Sequence, residues 1–104
     1  MIVRINTALK PSLEDGDNFR AFKVVTDTAE IDVERLNVLL GPAIVFETAE
    51  QAWIEVEALK RWASRSGDSD WIASLDGMVA YARTRGWVRE MPLRLAAHVE
   101  HADR

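Results

Sequence analysis

Residues 43–63 read Ala-Ile-Val-Phe-Glu-Thr-Ala-Glu-Gln-Ala-Trp-Ile-Glu-Val-Glu-Ala-Leu-Lys-Arg-Trp-Ala, and the fold turns on where the extended chain in this stretch gives way to helix. Ala43 to Glu47 opens with a compact apolar run whose length and β-branching favour a buried strand over a helical segment. Thr48 then offers an N-cap with Gln51 three residues on, the spacing of a capping box. On a 3.6-residue period Ala52, Val56, Leu59 and Ala63 form one stripe, flanked by Trp53 and Trp62, and Gly67 closes the helix. A rival reading uses the same residues. Ala52, Ile54 and Val56 alternate with Trp53 and Glu55 as in a strand, which makes Phe46 to Trp53 a hairpin. The helix over 49–65 is preferred because the tip Thr48-Ala49-Glu50-Gln51 lacks the Gly or Asn of a tight hairpin.

Upstream, Ile2, Val3 and Ile5 alternate with polar neighbours and predict a strand running toward Leu9, stopped by Pro11. Asp15, Gly16, Asp17 and Asn18 mark Ser12 to Asn18 as a turn, so that Phe19 to Thr26 returns as a second strand. Val33, Leu36 and Leu40 share a helical face between Ile31 and Leu40, ended by Gly41-Pro42. Downstream, Asp68, Ser69 or Asp70 caps a long helix with Trp71, Leu75, Met78, Val79 and Ala82 on one face until Gly86. Gly77 inside that helix costs about 1 kcal/mol relative to alanine, which points to a closely approaching backbone. Beyond Pro92, Leu93, Leu95, Ala97 and Val99 alternate as a last strand, with a helix starting at Pro92 as the competing reading. The expected architecture is one α+β domain over residues 1–104: a small, mainly antiparallel three- or four-stranded sheet covered by two or three helices.

Composition narrows function. Thirteen Lys plus Arg against 17 Asp plus Glu leave a net charge of −4, which disfavours nucleic acid as a partner. The excess acid lies in residues 1–52, with nine acids and five bases, whereas residues 53–104 carry eight of each. With no cysteine there is no disulfide framework, thiolate nucleophile or Fe–S ligand set, and a cytoplasmic location is expected. Met1 to Lys10 lacks the apolar run of a signal peptide, and no stretch approaches the ~20 apolar residues of a membrane span.

The candidate chemistries are few. His98, Glu100 and His101 form the sole His/carboxylate cluster, but on a strand His101 points away from the other two, and no metal site is expected. Glu14 to Asn18 is rich in oxygens yet lacks the alternating ligands and distal glutamate of an EF-hand. Phosphate-loop, dinucleotide and nucleophile-elbow glycine patterns are absent, and no cofactor is implied. Lys60, Arg61, Arg65, Arg83, Arg85 and Arg89 cluster near helix ends, where cations complement the helix dipole. The informative surplus is aromatic: Trp53, Trp62, Trp71 and Trp87 with Tyr81 in so short a chain.

Two functional expectations follow, neither with an assigned catalytic residue. The first is a non-catalytic binding or interaction protein that self-associates as a homo-oligomer through an aromatic-rich face. The second is a small enzyme or a binding protein for a small apolar ligand, with a cleft walled by Trp53, Trp62, Tyr81 and Trp87 and with His98 and Glu100 as its polar groups.

Overall fold

In the deciding stretch the rival reading holds: the hairpin forms, and the helix waits until Val56. The computed structural model describes residues 1–28, 31–65 and 67–102. Along the chain these form β1 (Ile2–Ile5), β2 (Pro11–Glu14), β3 (Lys23–Thr26), α1 (Val33–Leu40), β4 (Ile44–Phe46), β5 (Gln51–Glu55), α2 (Val56–Ala63), α3 (Ser69–Thr84), β6 (Val88–Arg89) and β7 (Arg94–His101). The sheet runs β2-β1-β3-β7-β5-β4, with β6 also paired to β7. The pairs β1–β3 and β3–β7 are parallel and the rest antiparallel. A small, mainly antiparallel sheet of three or four strands is therefore the wrong architecture; this is one mixed seven-stranded sheet curled into a half-barrel, with three helices.

Three local features account for the difference. First, Thr48 Oγ1 accepts from Glu50 N, while Glu47 N and Thr48 N both donate to Gln51 O. The hydroxyl that suits a helix cap thus closes a β-turn instead, a competition open to any Ser or Thr. Second, Pro11 begins β2 rather than ending β1. As the first residue of an edge strand it forfeits no ladder bond. The hairpin consequently joins β1 to β2, with Leu9 at φ 61 and the Asn6 side chain accepting from Ala8 N and Lys10 N. Third, Phe19 to Phe22 is loop, not strand: this segment wraps the Met1 end of β1, whose amino group donates to Asn18 O and Ala21 O. The chain then enters β3 parallel to β1, in register from Ile2↔Lys23 to Ile5↔Thr26.

The strands place Val3, Ile5, Val24, Ile44, Phe46, Ala52, Ile54, Leu95, Ala97 and Val99 on one face. Leu36, Leu40, Val56, Leu59, Trp71, Leu75, Val79 and Ala82 complete the core from the three helices. Asp32 and Asp68 cap α1 and α3 by accepting from Arg35 N and Trp71 N. Arg65 donates to Asp68, at 2.7 Å from Nη2, and together with the Trp71 N–H holds that carboxyl below its ordinary pKa. At the other end of α3, Gly86 N donates to Arg83 O and Trp87 N to Ala82 O, a Schellman ending with Gly86 at φ 76. It is this turn that aims Trp87 back along the helix.

Gly77 is not a point of close packing. It is exposed, and a Cβ built there meets nothing within 4 Å. Gly77→Ala is therefore expected to raise stability by about 0.5–1 kcal/mol through reduced backbone entropy of the unfolded chain. Urea unfolding checks this, and a destabilised variant would refute it.

Candidate functional site

Two strands share one edge of β7. β6 pairs with Arg94 and Leu95, and β3 pairs from His98 onward, so a notch remains beside Ala96 and Ala97. Ala96 N donates to Trp87 O at its upper margin. The notch opens a cleft of about 570 Å³, within the range that accommodates small organic ligands. Its apolar wall comes from Phe19 and Phe22 of the loop before β3 and from Met78, Tyr81 and Ala82 of α3. Trp87, held by the Schellman turn, stands at the mouth with its ring edge-on to Tyr81, centroids 6.3 Å apart.

Strand alternation supplies the polar side. Gln51 of β5, His98 of β7 and Lys23 of β3 are register partners across three strands, on the face away from the core, and all three line the cleft. Arg20 adds a guanidinium from the loop. Among the described residues no side-chain partner holds the His98 imidazole, the Gln51 carboxamide or the Arg20 guanidinium. Lys23 Nζ donates to Glu100 at 2.9 Å, which keeps that carboxyl below its ordinary pKa. Arg85 donates to the Tyr81 hydroxyl from Nε and Nη2 and lies over both the Tyr81 and Trp87 rings.

No family model, curated protein or solved structure matches this chain.

Of the six residues singled out from the sequence, the cleft brings together Tyr81, Trp87 and His98. Glu100 is linked to it only through Lys23. Trp53 lies elsewhere on the outer face, 7% exposed, under the Arg89 guanidinium at 4.0 Å from its ring centroid, and Arg89 is anchored by Glu47. The Trp53 Nε1 is buried without a hydrogen-bond partner among the described residues. Trp62 is half-buried against the core. His101, which the strand reading turned away from His98, is a structural pin: Nδ1 pairs with Thr26 Oγ1 at 2.8 Å and Nε2 with Ala49 O at 3.1 Å. Since a carbonyl oxygen can only accept, Nε2 carries the proton.

Sequence reasoning missed Phe19, Arg20, Phe22, Lys23, Gln51 and Met78 as cleft residues. Lys23 and Gln51 reach it through the pairing of β3 and β5 with β7, Phe19, Arg20 and Phe22 through the loop that leads into β3, and Met78 from α3, and no local pattern reveals that convergence. The oxygen-rich segment Glu14 to Asn18 holds its carboxylates in internal pairs, Glu14 with Arg4, Asp15 with the Asn18 amide and Asp17 with Arg65. Among the described residues no helix is long and apolar enough to cross a membrane.

Proposed function

We propose that this chain is a non-catalytic binding protein that takes a small, largely apolar ligand in the cleft between the start of β3, the middle of β7 and α3. The observation that carries this reading is the convergence of Tyr81, Trp87 and Met78 with Phe19 and Phe22, from segments far apart in sequence, on one concavity. Tyr81 and Trp87 remain 55% and 47% exposed, so a ligand there removes substantial aromatic area from water. Among the described residues no hydroxyl or carboxylate is hydrogen-bonded to His98, so the cleft holds no preassembled nucleophile–base or base–orienter pair.

Titration with the uncharged fluorophore phenylnaphthylamine tests the reading. Saturable binding is expected, with affinity falling about tenfold in Trp87→Ala, equivalent to about 1.4 kcal/mol. Binding that ignores Trp87→Ala and Met78→Glu alike would place the probe elsewhere and remove the proposal. The same exposed Tyr81–Trp87 pair also supports the alternative of self-association, in which sedimentation shows a dimer that Trp87→Ala dissociates.

A further inference from the structure

We infer that the ligand of this cleft is an amphipathic anion, an apolar body bearing one carboxylate, sulfonate or phosphate group; the inference rests on the reading of the cleft as a ligand site. It comes from a local reversal of charge. The whole chain carries net charge −4, yet the charged residues of the cleft lining are Arg20 and Lys23, with not one Asp or Glu. With Lys23 paired to Glu100, the Arg20 guanidinium is the lining's permanent charge without a side-chain partner among the described residues, and with the donors of Gln51 and His98 near it the lining favours an anionic group.

The geometry separates the two halves of such a ligand. Phe19, Phe22, Met78, Tyr81 and Trp87 offer apolar contact on the loop and helix side. Lys23, His98 and Gln51 form a row across the sheet on the other side, with strands about 4.8 Å apart, so that one oxyanion can reach adjacent donors. Lys23 already serves Glu100, which lies outside the lining. The donors left for a ligand are the Arg20 guanidinium, whose fork suits a planar carboxylate, and the amide and imidazole of Gln51 and His98.

The test pairs phenylnaphthylamine with anilinonaphthalenesulfonate, the same aromatic skeleton carrying a sulfonate. The sulfonate is expected to bind the wild-type chain about tenfold more tightly, a preference lost at high salt and in the Arg20→Gln/His98→Gln double variant. Both substituted side chains are exposed, and circular dichroism verifies the fold of the variant. Competition then identifies the body: displacement of the sulfonate by naphthoate supports an aromatic acid, and displacement by decanoate an aliphatic one. Equal affinity for the charged and uncharged probes, with Trp87-dependent binding of both, overturns the anion inference and leaves the cleft reading standing. Absence of binding by either probe overturns both.

Discussion

Trp71→Ala is expected to lower the unfolding free energy by about 3–5 kcal/mol, the cost of emptying a large core site that relaxes only partly. Trp71 is 3% exposed at the first turn of α3, and it joins three parts of the molecule. Its indole Nε1 donates to Gly16 O at 2.8 Å, its ring lies 6.0 Å from that of Phe19 and Arg65 covers it. The side chain therefore fills the core while fastening the loop that walls the cleft. Trp71→Phe separates the two roles: it retains most of the apolar volume, loses the bond to Gly16 and is expected to cost about 1–2 kcal/mol. Urea unfolding followed by far-ultraviolet circular dichroism measures both variants. A loss below about 1 kcal/mol for Trp71→Ala would show that the indole does not anchor the core.

Asn37→Ala is expected to cost about 2–4 kcal/mol, because two backbone groups of the outermost strand lose their partner together. From α1 the Asn37 carboxamide accepts from Phe46 N at 2.7 Å and donates to Phe46 O at 3.1 Å. One side chain thus takes the place of a peptide group along the free edge of β4. Asn37→Asp keeps the acceptor and removes the donor, setting a carboxylate against a carbonyl oxygen. That repulsion raises the folded-state pKa of the introduced carboxyl above its unfolded value of about 4, so its protonated form is favoured on folding. The deficit of this variant relative to wild type should accordingly shrink as pH falls through the raised folded pKa, with most of the recovery complete below the unfolded value. Unfolding curves at several pH values decide the matter, and a deficit constant with pH would mean that Phe46 O has found another donor.

Much of the fold was legible where the signal is local. Asp68 and Gly86 bound α3 because a carboxylate accepting amides and a residue at positive φ are chemical requirements of the helix ends themselves. The alternation of Leu95, Ala97 and Val99 gave β7, and all three are buried. Residues 48–56 were degenerate, since Ala52 stands four residues before Val56 on a helix and two before Ile54 on a strand. The turn at Thr48 and the partner strands β4 and β7 break that tie. The parallel pairs were invisible for a different reason: Lys23 meets His98 through tertiary pairing that leaves no periodic trace at either place. The same holds for the cleft. Trp87, Tyr81 and His98 stood out as residue types, whereas Lys23, Gln51 and Phe22 belong to it only because β7 collects them.

The central place of β7 also bears on how the chain acquires its structure. β2-β1-β3 forms one half of the sheet and the β4–β5 hairpin the other, and β7 is the single strand hydrogen-bonded to both. Its bond to Thr26 spans 75 residues. Until residues 94–101 are available, the two halves have no shared ladder, and each presents an open edge where β7 belongs. Joining the two halves is a non-local step whose chain-closure entropy is met before its contacts are gained, and slow folding is the expected result. On a ribosome the fold-completing strand is the last described one to emerge, and the half-sheets await it with edges open to other chains.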